Sequence, residues 1–304
     1  MGIFLGIDTS NYTTSIAVVR DGEVIENVKM ILPVPEGGRG LRQSDALFHH
    51  TCQLPEAFKK IGNYSFDAVG VSQKPRDETG SYMPCFLAGV SVACAVSETN
   101  GIPLFRFSHQ RGHFAAAAYS AGALSLLDKE FIGFHVSGGT TEIVSCSPEK
   151  INILGGTEDI NAGQAIDRAG VLLGLRFPCG AMLEELAEAG ILPEKPRVCV
   201  RGLLCNLSGV ENQVQKMLLR GEKKEDIARY VLEFCSLTLD KLSENVRKQY
   251  DLPILYAGGV MSNRRIRSLL SKRENVFFAQ PVFSSDNAAG IALLTEKEYQ
   301  KHEG

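Results

Sequence analysis

Residues 2–31 read GIFLGIDTSNYTTSIAVVRDGEVIENVKMI. IFLGID has the unbroken apolar character of a buried strand. TTSIAVVR is a second strand that ends at Asp21-Gly22, a dipeptide suited to the positive φ angles of a two-residue hairpin turn. EVIENVKMI is a third strand. The same grammar returns at residues 131–156. FIGFHVSGGTTEIVSC supplies two strands about a Ser-Gly-Gly-Thr-Thr turn, and KINILGG supplies a third. Helices and further short strands follow each meander. The apolar matches between the halves are too weak to make a sequence repeat. The order of elements nevertheless predicts a duplicated α/β fold with a ligand cleft between its lobes.

The chain has 304 residues, 44% hydrophobic and 22% charged, enough for one large domain or two of moderate size. A net charge of −3 provides no basic field, so a nucleic-acid partner must be held by local patches or by another subunit. The cysteines 52, 85, 94, 146, 179, 199, 205 and 235 include no C-x-x-C pair. They read as buried, reduced thiols rather than a thiolate zinc site or a redox dithiol. No apolar run reaches the ~18–20 residues of a membrane span, and no leader precedes the first strand, so a cytoplasmic protein is expected. Residues 33–44, PVPEGGRGLRQS, read as a surface loop.

His109 and His113 stand in FSHQRGHFAAAAY, at the start of an expected helix. Residues i and i+4 share a helical face, so two imidazoles could converge on one metal ion, although the same spacing also suits surface or core histidines. A metalloprotease places glutamate directly after the first histidine; Gln110 stands there and cannot take a proton. Three turns offer backbone N–H groups to a phosphate: IDTSNYTT, VSGGTTE and YAGGVMSN. Each singly reads better as a tight structural turn; all three in one duplicated fold shift the reading towards a nucleotide. No P-loop and no dinucleotide fingerprint is present. NRRIRSLLSKR brings Arg264, Arg265, Arg267, Lys272 and Arg273 together, and KMLLRGEKK adds further cations. These could track RNA phosphates or simply form solvated helix faces.

GIDTS, HQRGH, VSGGTTEIV, AGQAIDRAGVLLGLRFPCG, AGGVMSN and SSDNAAGIA, in that order, resemble the TsaD family, the tRNA N6-threonylcarbamoyladenosine transferases. The resemblance spans nearly the whole chain. It implies the duplicated RNase H-like fold of actin, sugar kinases and heat-shock chaperones (ASKHA). The N-terminal lobe would be 1–107 with a C-terminal helix at 286–300, and the C-terminal lobe 108–285 would carry the metal and nucleotide sites. The resemblance further implies one divalent metal, iron or zinc, on His109, His113 and Asp286. It places an adenine nucleotide or threonylcarbamoyl-AMP against Val136, Ser137, Gly138, Gly139, Thr140, Asp167, Gly180 and Asn263.

The sequence also departs from that pattern. The family's Glu-Thr-Ser-Cys-Asp-Glu-Thr turn is Asp8-Thr9-Ser10-Asn11-Tyr12-Thr13-Thr14 here. Its Gly-Pro-Gly turn is replaced by SQKPRDETG, its Ser-Gly-Gly-His histidine by Thr140, and the glutamate between the metal histidines by Arg111. The expected activity is metal-dependent transfer of a threonylcarbamoyl or related carbamoyl group from an acyl-adenylate to an amine, the adenine N6 of tRNA. The alternatives are a non-catalytic nucleotide- and metal-binding scaffold of the same machinery, and an ATP phosphotransferase of the same fold. The expected partners are tRNA and a second ASKHA-fold chain, or another copy, on the N-terminal lobe; no membrane is expected.

Overall fold

The structure is a computed structural model that describes residues 2–10, 12–33, 41–283 and 288–303. Most of the expected surface loop at 33–44, the turn residue Asn11 and the late Asp286 lie outside the described residues.

The first compact unit comprises residues 1–124 and 282–304. Its sheet contains β1 (Ile3–Ser10), β2 (Thr13–Arg20), β3 (Glu23–Ile31), β4 (Ala68–Lys74) and β5 (Leu104–Ser108), in the order β3-β2-β1-β4-β5. The first three pair antiparallel as the predicted meander; β4 and β5 add in parallel. Asp21 (φ 51°) and Gly22 (φ 78°) make the hairpin turn that their sequence foretold. Neighbouring Phe4 and Leu5 on β1 point to opposite faces and are both buried, each in a different core cluster, which explains the unbroken apolar run: both faces of the sheet are covered. Helices α1 (Gln43–Phe58), α2 (Phe86–Asn100), α3 (His109–Ser120) and, at the C-terminus, α9 (Ala289–Glu303) belong to this unit.

The two histidines were expected at the head of the second lobe, with a boundary at 107/108; α3 instead packs in the first unit, which runs to Leu124. The reason is a close helix crossing. A Cβ on Gly112 would fall 2.9 Å from Ile291 Cδ1, and one on Gly290 would collide with the backbone of Gly112, so paired glycines let α3 and α9 touch.

The second unit, residues 125–281, repeats the topology. β6 (Phe131–Val136), β7 (Thr141–Cys146), β8 (Ile151–Thr157), β11 (Ile254–Ala257) and β12 (Val276–Phe278) run β12-β11-β6-β7-β8, the mirror listing of the first sheet's order. A hairpin of β9 (Cys199–Arg201) and β10 (Leu204–Asn206) extends the β8 edge. The helices are α4 (Ala162–Leu172), α5 (Gly180–Glu188), α6 (Gly209–Leu219), α7 (Lys224–Arg247) and α8 (Arg264–Leu270). α7 buries Ile227, Val231, Leu239, Leu242 and Val246 in the unit's core, and Tyr256 bonds Ser243 Oγ at 2.6 Å within it.

The cysteines are all free thiols. Burial pushes Cys205 and Cys235 up to about 12, which keeps them inert. Cys85, Cys146, Cys179, Cys205 and Cys235 are buried, Cys94 is half-buried, and Cys52 and Cys199 are exposed. No helix among the described residues is long and apolar enough to cross a membrane.

Candidate functional site

β5 runs directly into α3, and Ser108 at the junction caps the helix by accepting from the Arg111 amide at 3.2 Å. One turn of helix then brings His113 against His109, with ring centroids 4.2 Å apart and planes at 70°. Nδ1 of His109 lies 3.0 Å from Oδ2 of Asp8. Asp8 is fully buried at the C-terminal end of β1 and also accepts from Ser10 Oγ at 2.9 Å and from Ser72 Oγ on β4. A carboxylate facing Nδ1 favours the tautomer whose Nε2 carries the lone pair, the arrangement that orients a metal-ligating histidine. The donor chemistry therefore fits a divalent cation. The expected third ligand, Asp286, lies outside the described residues, and among the described residues no three ligating groups form a cluster. Sequence reading missed the pairing of Asp8 with His109, because 101 residues separate them.

In the second unit the turn after β6 is held shut by Ser137. Its Oγ accepts from the Gly139 and Thr140 amides at 3.3 and 3.1 Å, and its own amide donates to Thr140 O at 2.7 Å. α4 begins against this turn. Asn161 and Gln164 form a capping box, the Ala162 amide donates to Thr141 Oγ1 at 2.8 Å, and the Gly163 amide donates to Ser137 O at 3.1 Å. A Cβ on Gly163 would lie 2.6 Å from Gly138 Cα, so the helix start approaches the turn only because residue 163 is glycine. Further along α4, Asp167 Oδ1 accepts from the Cys179 amide at 2.7 Å and fixes the loop into α5. Asn263 caps α8, its Oδ1 accepting from the Arg265 and Ile266 amides at 3.1 Å each, which leaves its NH₂ group as the donor available to a ligand.

Gly138, Asp167, Gly180 and Asn263, from four separate stretches of sequence, line one cavity of about 460 Å³. Val136 is buried at the end of β6, and Ser137, Gly139 and Thr140 form the turn itself. The cavity wall also includes Ile166, Phe177, Pro178, Glu184 and Val260, which the sequence reading did not single out. Nothing in RFPCG distinguishes a cavity-lining aromatic from an ordinary loop residue.

The basic stretches are largely used locally. Arg264 pairs with Glu184 and Glu188, Arg273 with Asp240, and Arg220 with Glu194 and Glu222. Arg267 lies 5.0 Å over the Phe278 ring and bonds Ala279 O, and Lys224 donates to Leu173 O. These contacts favour solvated helix faces over an RNA track.

A family model described as TsaD, tRNA N6-adenosine threonylcarbamoyltransferase, matches residues 49–293. The protein named tRNA N6-adenosine threonylcarbamoyltransferase in Thermosipho melanesiensis is 30% identical over 314 residues, covering 97% of this chain and 94% of that one. Among solved structures, full-length HypF in a phosphate- and nucleotide-bound form superposes with a TM-score of 0.64 at 14% identity, covering 100% of this chain and 56% of that one. A ROK family glucokinase from Streptomyces griseus, in complex with glucose and AMPPNP, gives 0.54 at 12% identity over 97% of this chain and 100% of that one. At such identities these likenesses speak for the fold alone, the duplicated actin-like α/β architecture. On the extent of the family match, the chain belongs to the TsaD family, the tRNA N6-adenosine threonylcarbamoyltransferases.

Proposed function

We propose that this chain transfers a threonylcarbamoyl group from an acyl-adenylate to the N6 amine of an adenosine in tRNA. The observation that carries the reading is the convergence of Gly138, Asp167, Gly180 and Asn263 on one cavity in a chain of this family. Asp167 Oδ2 accepts from ribose hydroxyls while Oδ1 holds the Cys179 amide. Gly180, where a Cβ would meet nothing within 4 Å, leaves bare backbone for the sugar. The turn at Ser137–Thr140 and the adjacent N-terminus of α4 favour the phosphate.

The amine attacks the carbamoyl carbon, a C–N bond forms, the bond from that carbon to the phosphate oxygen breaks, and AMP leaves as the N6 proton passes to solvent. AMP is a good leaving group, so orientation and stabilisation of the developing oxyanion are the protein's main tasks. His109 and His113 would hold one divalent ion, iron or zinc, with Asp286 as third ligand, and Asp8 orients His109. Such an ion, when bound, supplies Lewis acidity.

We place the expected partner of like fold on the first unit, where α1 presents Phe48 at 64% exposure. The setting that fits this reading is the cytoplasm. The test is metal analysis and AMP calorimetry on wild type and His109→Ala/His113→Ala, followed by transfer to tRNA. About one metal per chain, lost in the variant, with AMP bound and product formed, supports the reading. Neither metal nor nucleotide would leave a scaffold that kept the fold.

A further inference from the structure

Phe177 is 70% exposed, yet it lines the cavity that holds Asp167 and Gly180. Exposure alone does not mark it, since Leu219 and Ile191 are more exposed still; what does is that this exposed aromatic residue lines a cavity. Pro178, Ile166 and Val260 line the same cavity, whose polar groups are few. The loop that carries it is tied down close by: the Cys179 amide, two residues on, donates to Asp167 Oδ1 at 2.7 Å. One oxygen of a carboxylate at the cavity thus anchors the loop that carries the ring.

We propose that Phe177 is a stacking platform for the base of a mononucleotide whose sugar lies beside Asp167 and Gly180. The inference rests on the nucleotide reading of this cavity and adds to it the group that takes the base. A flat aromatic face gains from any base laid on it, which suits a ring otherwise in water. The loop's anchorage by Asp167 couples the two contacts, so base and ribose would be gripped from one element.

The experiment compares wild type, Phe177→Ala and Phe177→Tyr by calorimetry with AMP and with ribose 5-phosphate, which has no base. Because the chain contains no tryptophan, Phe177→Trp also introduces a single indole probe at the platform. The expected result is an AMP affinity weakened about tenfold in Phe177→Ala and restored in Phe177→Tyr, with ribose 5-phosphate unaffected. AMP should quench the Phe177→Trp emission, and ribose 5-phosphate should not. Wild-type AMP affinity in Phe177→Ala overturns the proposal and leaves the nucleotide reading standing. So does a loss without quenching in Phe177→Trp, or a loss shared equally by ribose 5-phosphate. Failure of the wild type to bind AMP overturns the nucleotide reading and this proposal with it.

Discussion

Nε of Arg111 donates to Oδ2 of Asp77 at 2.8 Å, joining α3 to the loop that follows β4. Both residues sit where the sequence departs from its family. Arg111 stands between His109 and His113 where the family pattern that the sequence resembles has a glutamate, and Asp77 belongs to the SQKPRDETG segment that stands in place of that pattern's Gly-Pro-Gly turn. The two changes are therefore halves of one interaction. The Gln110 amide adds a bond to Pro75 O at 3.0 Å, so loop and helix start are held together at two points. The positive charge introduced beside the histidines is answered by Asp77.

The side chains are 16% and 13% exposed, so removing either one strands its partner in a poorly solvated place. Arg111→Ala and Asp77→Ala should each lower stability by about 1–3 kcal/mol, and the double variant should lose clearly less than their sum. Urea denaturation of the four proteins measures the coupling. Simple additivity would mean that the pair contributes nothing.

On the proposed metal reading, Asp8→Asn should keep the fold but weaken the binding of a divalent ion by His109 and His113. An amide in place of the carboxylate no longer fixes the His109 tautomer, and losses of about 10–100-fold in metal affinity follow from such changes. Chelator competition with zinc reads the effect, and circular dichroism checks the fold. Unchanged zinc affinity would remove Asp8 from the site.

Two glycines of the cavity should behave oppositely. Gly163→Ala forces its methyl to within 2.6 Å of Gly138 Cα, so the turn or the start of α4 must shift. It should unfold at a lower temperature and bind AMP at least roughly tenfold more weakly. Gly180→Ala meets nothing within 4 Å and begins α5, so its stability should be equal or higher by up to about 1 kcal/mol. Its AMP affinity should nevertheless fall, because the methyl occupies ligand space. A stable Gly180→Ala that binds AMP as wild type does would place the sugar elsewhere.

Much of this was legible in the chain. The unbroken apolar run of β1, the Asp21-Gly22 turn and the second meander marked the antiparallel half of each sheet, because these signals are local. The hairpin of Cys199–Arg201 and Leu204–Asn206 escaped, since three-residue strands show no period. The placement of α3 escaped because Gly112 meets its partner Gly290 across 178 positions, a distance that periodicity does not span. The pairing of His109 with His113 is legible in their spacing; the bond of Asp8 to His109 and the place of Phe177 in the cavity wall arise only in the folded chain.

Asp159 tests the electrostatics of the second unit. Burial alone would raise its pKa, but the Leu207 amide, the Ser208 hydroxyl and the Ile160 and Ser208 amides all donate to it and hold its carboxyl well below the usual carboxylate range. The carboxylate thereby ties the end of β8 to the loop between β10 and α6. A depressed folded pKa gives stability that is present above the unfolded value, near 3.9, and is lost as pH falls through the carboxylate range toward the folded value. Asp159→Asn should therefore be less stable than wild type at pH 7, by about 1 kcal/mol once solvent screening of this exposed group is allowed for. The gap should narrow steadily as pH drops below about 4, because the unfolded wild-type chain then takes up a proton that the folded carboxylate resists. Urea midpoints for both proteins at pH 7, 4 and 3 decide the matter. A gap that stays constant across that range would show that Asp159 acts by shape, as a neutral acceptor would, and not through its charge.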